Sequence, residues 1–312
     1  MSLVNASMKK RTIVHIVPKF LFGGAERLVA LYAHLHDYSE FDVHAVACVE
    51  DGQLRELFNG SEAHVFAASR ATYGGRFGAW KALRDYLDEI EPDVVHTHLL
   101  TSDVIGWFYR LRAKKKPLWI SSQHNVEDSR PWLYRKIWRF ILPQADAVVA
   151  VAPRVYDYAH TNFGVPKKRL HLVLNGIDVN KWAPASKTPV RQTNTLHIGT
   201  IGRFEPQKGH TYGLKALARI PDHIDWQYHL FGGGYLEEEL RAEAEELGIA
   251  DRIVWHGVVG DMEQRISTLD VVFQPSLFEG LSLVILEALT AGRIVFTTPA
   301  GGEGVIEHGK TG

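Results

Sequence analysis

The chain has 312 residues, 46% of them hydrophobic and 23% charged, with a formal net charge of −1. This is a soluble globular composition, long enough for two domains with buried cores, and no apolar run approaches the ~20 residues that span a bilayer. The single cysteine, Cys48, excludes an internal disulfide, fits a reducing compartment and, with no secretory h-region at the N-terminus, points to the cytoplasm; no nucleic-acid partner is expected.

In chain order, Thr12–Val17 is a β-rich run ending at Pro18, and Gly23-Gly24 then opens a helix carrying Ala25, Leu28, Val29 and Leu31. Without side chains at Gly23 and Gly24 the backbone can approach a ligand closely, and the amides of the following helix can accept a phosphate or hydroxyl. The turn is not G-x-G-x-x-G, so the dinucleotide fingerprint is missing. Runs at 41–49, 64–66, 94–96 and 118–121 read as further strands with helical stretches between them, the alternation of a parallel sheet covered on both faces. Ligands of such sheets collect at the carboxyl ends of the strands, here Gly23-Gly24, His96-Thr97-His98 and Gln123-His124-Asn125. For His124 a ligand contact and a hydrogen-bonded structural role carry equal weight. The aromatic and basic stretch 130–141 reads either as a helix packed on the sheet, the commoner case, or as a surface for an anionic membrane, since the basic residues concentrate before Asn180.

Strands follow at 145–150 and from Leu170, and Asn175-Gly176-Ile177-Asp178 closes the first domain. The polar run 183–194, with two prolines and no periodicity, is the expected linker, giving domains 1–182 and 183–312. The second half repeats the alternation. Gly199–Gly209 is a strand that breaks at Pro206 and delivers Arg203 and Lys208 to the start of a helix. Arginine offers a planar fork for a phosphate and lysine a point charge, each contact being worth about 1.5–3 kcal/mol. Strand 226–231 runs into Gly232-Gly233-Gly234 and an acidic helix whose glutamates read as a solvated face. In Phe278–Gly292, Glu279 and Glu287 bracket an apolar run, with Ser282 as the N-cap and Gly292 as the stop of a helix. Glu279 then lies at the helix mouth and Glu287 roughly 7–8 Å along the axis. The amides of Gly280, Leu281 and Ser282 point outward at the positive end of the dipole, a place for an anion.

Gly202-Arg203-(x)4-Lys208 followed by Glu279-(x)7-Glu287 resembles the nucleotide-sugar half of the family-4 retaining glycosyltransferases, and the likeness extends over most of the chain. The resemblance implies an α/β GT-B fold, two Rossmann-like domains facing across a cleft, the first for acceptor and the second for the sugar nucleotide. It makes Gly23 and Gly24 the family's first glycine loop, and His98, last in the strand-end pattern Asp93–His98, the residue beside the donor sugar. It also places Gly233 near base and ribose. The implied activity is transfer of a hexose, with retention, from a UDP- or GDP-sugar to a sugar or lipid-linked hydroxyl in surface polysaccharide or glycolipid synthesis. Arg203, Lys208 and the amides at 280–282 would hold the diphosphate, Glu287 the ribose and Glu279 the sugar. No cofactor and no metal are expected: His96 and His98 could pair on a metal, but Asp-X-Asp is absent and the remaining histidines, of 16 in all, are scattered rather than spaced as ligands. His96 stands two residues before His98, on the same face of its strand.

Three departures bear on this reading. Gly301-Gly302 is followed by Glu303-Gly304-Val305, where the family carries Gly-Gly-x-x-Glu, and Arg293-Ile294 stands where a small residue and proline are usual. At Gly312 the family continues with a last strand and a crossing helix, so the second domain is expected to be incomplete. A non-catalytic relative that binds sugar nucleotide or a partner, and a GT-B epimerase or polymer synthase, are the alternatives.

Overall fold

The computed structural model describes residues 9–21, 23–126, 131–186 and 194–312. Two compact units divide between Leu174 and Asn175. The first contains strands β1 (Arg11–Lys19), β2 (Phe41–Glu50), β3 (His64–Ala67), β4 (Val94–His98), β5 (Leu118–Gln123), β6 (Ala147–Ala150) and β7 (Leu170–Leu172). Its helices are α1 (Gly24–Leu35), α2 (Arg76–Ile90), α3 (Leu100–Arg112), α4 (Trp132–Ile141) and α5 (Pro153–Thr161). The strands form one seven-stranded parallel sheet in the order β3-β2-β1-β4-β5-β6-β7. β1 runs through Pro18 rather than ending there, and its pairing with β2 slips between Val17 and Lys19. Proline has no N–H for the ladder, and the irregularity absorbs that loss.

A buried carboxylate locks the centre of this unit. Asp103, on α3, accepts from Thr97 Oγ1 at 2.6 Å, Ser121 Oγ at 2.6 Å, Trp138 Nε1 at 2.8 Å and Gln123 Nε2 at 3.1 Å. Burial raises its carboxyl above the ordinary range while these four hydrogen bonds pull it back. Thr97, Ser121 and Gln123 alternate along their strands with His96, His98, Ser122 and His124, so the lock on one sheet face fixes the side chains of the other. Helix α4 packs on α3 through Trp138 and Ile141.

The second unit contains helix α6 (Val179–Ser186), strand β8 (Leu196–Ile201), helix α7 (His210–Leu217), β9 (Trp226–Phe231), α8 (Glu237–Glu246) and β10 (Ile253–Gly257). It continues with α9 (Met262–Ile266), β11 (Val271–Gln274), α10 (Leu283–Thr290), β12 (Ile294–Thr297) and α11 (Pro299–Gly302). The five strands are parallel in the order β10-β9-β8-β11-β12. One core lies on each face of this sheet, around Ile285, Val272 and Val295 and around Leu214, Tyr228 and Leu230. The glutamates of α8 are mostly exposed, as a solvated face requires.

The expected linker 183–194 is corrected at its start, since 183–186 complete helix α6, which packs on α9 and α10; its stretch 187–193 lies outside the described residues. The segment 175–178, read as closing the first domain, belongs with the second unit, where Asn175 Nδ2 donates to Leu281 O at 3.0 Å. Arg293 is buried, its guanidinium donating to Ala291 O, Leu269 O, Ser267 O and Ala185 O. The small residue usual in the family at this position has no side-chain donor to make these bonds.

Candidate active site

Each sheet reverses its strand order once, β1 being flanked by β2 and β4, and β8 by β9 and β11. Such switch points open a crevice at the carboxyl ends of the strands. The residues singled out from the sequence fall at these two places.

In the first unit, Gly23 caps α1 and Gly24 begins it, beyond β1. A Cβ on Gly23 would stand 2.1 Å from Glu26 Oε2, so the missing side chain admits the Glu26 carboxylate, whereas the space beside Gly24 is open. His98 ends the neighbouring strand β4 and is fully buried. Its Nδ1 shares a hydrogen bond with His124 Nε2 at 2.9 Å, and its Nε2 has no hydrogen-bond partner among the described residues. The next residue, Leu99, takes φ +71° and ψ 159°, a region that non-glycine residues enter at about 1–3 kcal/mol and mostly at functional turns.

Histidines far apart in sequence converge here. His15 sits beside His96 in the β1–β4 register, with ring centroids 5.0 Å apart, and His96 lies 4.4 Å from His98. His36 shares a hydrogen bond with His15 at 3.0 Å, and Ser122 Oγ one with His96 at 2.8 Å. Burial is the main cause that takes His96 down to about 3, His124 to about 4, and His15 and His98 well below the ordinary value, so these rings are neutral near pH 7. The expectation that the histidines stay scattered is therefore corrected: strand register, not sequence spacing, gathers them. His15 and Leu99 are site features the sequence reading missed, and only the pairing of β1 with β4 reveals the first.

In the second unit, two loops are stitched together. Gly209 takes φ +66°, and a Cβ there would stand 2.1 Å from Pro275 O. Leu277 N donates to Gln207 O at 2.8 Å, and Gln207 Nε2 to Phe278 O at 3.1 Å. The result brings Lys208 Nζ to 2.5 Å from Glu279 Oε1, an oxygen that also accepts from Ser276 Oγ at 2.9 Å. The side chains of Lys208 and Glu279 are 16% and 9% exposed. The stem of Lys208 passes over Gly202, where a Cβ would meet it at 3.3 Å. Arg203 is exposed and pairs with Glu205 of its own loop at 3.0 Å. Gly232 and Gly234 abut Gly202 and Phe204, while a Cβ on Gly233 would meet only Val258 Cγ2, at 3.8 Å, and the Gly233 carbonyl accepts from Phe204 N at 2.9 Å.

Ser282 stands at the N-cap of α10 without a side-chain cap bond, and Gly292 stops the helix at φ +68°. Among the described residues no backbone carbonyl accepts from the amides of Gly280, Leu281 or Ser282. Glu287 is 1% exposed and lies on the covered face of α10 with Val284, Ile285 and Ala288. Gly301 and Gly302, at the altered family motif, are enclosed, Gly301 N donating to Thr298 Oγ1 at 3.3 Å. Lysine, carboxylate and free amides, with an exposed arginine five residues before the lysine, are groups that suit a polyanion bearing hydroxyl groups.

Residues 22–181 match the family described as Glycosyltransferase Family 4, and residues 195–312 match Glycosyl transferases group 1. A putative glycosyltransferase, EpsF of Bacillus subtilis, is 25% identical, the match covering 93% of this chain and 79% of EpsF. The UDP-Gal:alpha-D-GlcNAc-diphosphoundecaprenol alpha-1,3-galactosyltransferase of Escherichia coli is 23% identical, over 93% of this chain and 79% of that protein. The crystal structure of Anabaena HepE with UDP and glucose superimposes with a TM-score of 0.79 at 21% identity, covering 96% of this chain and 84% of HepE. That likeness identifies the fold as GT-B.

Proposed function

Because the chain belongs to glycosyltransferase family 4, we propose that it transfers a hexose from a nucleoside diphosphate sugar to a hydroxyl acceptor with retention of anomeric configuration, without a metal ion. The observation that carries this reading is the Lys208–Glu279 pair at the mouth of α10, beside the amides of 280–282. Lys208 and those amides would stabilise the diphosphate as negative charge grows on it, with Arg203 swinging from Glu205 to join them. Glu279 would hold the sugar hydroxyls, and the neutral His98 would use Nε2 for another. In the step itself the acceptor oxygen bonds to the anomeric carbon on the face from which the phosphate oxygen leaves. The acceptor proton passes to that phosphate, giving glycoside and nucleoside diphosphate. Gly24, beside open space, would admit the donor closely, while at Gly23 the Glu26 carboxylate already fills the space, and Gly233 would border base and ribose. Glu287 is assigned to the ribose on the family resemblance, and its burial requires approach through the 280–282 turn.

UDP is favoured over GDP as the base carrier by the complexes of HepE and the donor named for the Escherichia coli relative. That relative's acceptor is lipid-linked, and the same class of acceptor here would bring the protein to an anionic membrane surface. No helix of the described residues is long and apolar enough to cross a membrane. Helix α4, however, exposes Trp132, Leu133, Tyr134 and Phe140 beside Arg135, Lys136 and Arg139, the pairing of aromatic and basic groups that rests on such a surface. On this reading the protein works on the cytoplasmic face in surface polysaccharide or glycolipid synthesis.

The test is incubation with UDP- and GDP-hexoses, scoring nucleotide release, the anomeric configuration of the product and the effect of a chelator. Release of UDP with an α-linked product from an α-donor, unchanged by chelation, is expected. An inverted product, or activity abolished by chelation and restored by Mg²⁺, refutes the mechanism. Binding without turnover identifies a non-catalytic relative, and an isomerised free sugar an epimerase.

A further inference from the structure

At the border of the first sheet, away from the strand ends just described, three potential metal ligands meet. Asp42 and His44 are two residues apart near the start of β2 and therefore share a face. His64, at the start of the edge strand β3, pairs with His44 in register. His44 Nε2 stands 3.3 Å from Asp42 Oδ2, and His64 Nε2 stands 3.3 Å from Asp42 Oδ1. One ligand atom from each of the three lies within 4.8 Å of the others. We propose that Asp42, His44 and His64 form a binding site for a divalent first-row transition ion of the zinc type, with a remaining position open to solvent.

Three observations favour an ion. The Asp42 carboxylate lies between the two rings, Oδ2 at 3.3 Å from His44 Nε2 and Oδ1 at 3.3 Å from His64 Nε2, both longer than the 2.7–2.9 Å of a charge-assisted hydrogen bond. Second, His44 is held from behind: its Nδ1 lies 2.6 Å from the Tyr86 hydroxyl on α2, whose oxygen can accept the Nδ1–H of a ring whose Nε2 binds metal, the outer-shell contact typical of histidine ligands. Third, exposure is graded: the side chains of His44, Asp42 and His64 are 5%, 42% and 63% exposed, one anchored ligand, one intermediate and one open to an arriving ion.

The His15, His96 and His98 group is the weaker candidate, since His15 and His98 are buried and none of its members is a carboxylate to offset a dication. The carboxylate of Asp42 supplies that charge. An ion here would fasten β3 to β2 and would act on stability rather than turnover, because it sits at the opposite end of β2 from the glycine turn and His98. The inference therefore stands or falls independently of the transferase reading.

The test uses the full chain without an oligohistidine tag, titrated with Zn²⁺ by calorimetry and followed by thermal unfolding. One ion per chain and a rise in Tm with zinc are expected. His64→Ala and Asp42→Asn should each weaken binding at least tenfold and abolish the Tm rise, and Tyr86→Phe should weaken it by about 10- to 100-fold. His64 is exposed, so His64→Ala should leave the metal-free Tm unchanged and the comparison interpretable. Zinc bound equally well by wild type, His64→Ala and Asp42→Asn overturns the proposal, and so does no binding by the wild type.

Discussion

The ammonium of Lys208 and the carboxylate of Glu279 meet at 2.5 Å although 71 residues separate them in sequence. Two glycines make the contact feasible: Gly202 leaves room for the lysine stem, and Gly209 lets the helix start press against Pro275 O. The pair is nearly enclosed, so an incoming diphosphate would share the lysine with Glu279 rather than find it free.

Replacing Lys208 by methionine keeps the aliphatic stem over Gly202 and removes only the charge. One charge-assisted contact of about 1.5–3 kcal/mol to the leaving group corresponds to a fall in kcat/KM of about 10- to 200-fold. Steady-state kinetics on the preferred donor measures it, with Tm as control for folding. An unchanged kcat/KM removes Lys208 from the mechanism.

Glu287 separates two roles cleanly. If it receives the ribose hydroxyls, Glu287→Gln should raise KM for the sugar nucleotide severalfold more than it alters kcat. If it only completes the packing of α10, the same variant should lower Tm and leave KM alone, and the ribose assignment fails.

The neutral histidines of the first unit couple stability to pH. Folding holds His96 at about 3 and His124 at about 4, and the unfolded rings titrate at about 6.5. Between those values the unfolded chain binds the extra protons, so stability is complete above about pH 6.5 and is lost as pH falls toward 3–4. The slope is about 1.4 kcal/mol per pH unit for each ring. Calorimetric melting from about pH 8 to about pH 5 should show a plateau followed by a steep decline. A flat profile would mean that these rings are not buried in solution.

Helix α4 offers a salt-dependent prediction. Each basic residue at an anionic surface contributes about 1 kcal/mol, so the triple variant Arg135→Glu, Lys136→Glu, Arg139→Glu should lose at least about 100-fold in partitioning to anionic vesicles. Binding by the unaltered protein should weaken with added salt and be slight on neutral vesicles. Equal partitioning of variant and wild type would restrict α4 to packing on α3.

The alternation of β-branched runs with helical stretches was enough to read two parallel α/β sheets, because the period of apolar residues depends only on local backbone geometry. The position of Gly292 was legible too, since the left-handed backbone that ends a helix selects glycine whatever surrounds it. Arg203, Lys208 and Glu279 could be read as a group only through family resemblance. The meeting of Lys208 with Glu279 depends on β8 lying beside β11, and strand order is a long-range choice that no local pattern encodes. The burial of Glu287, the lock around Asp103, and the gathering of His15 with His98 and of Asp42 with His64 belong wholly to the tertiary structure. Each arises from side chains brought alongside by register between strands, and register is fixed only when the whole sheet has packed.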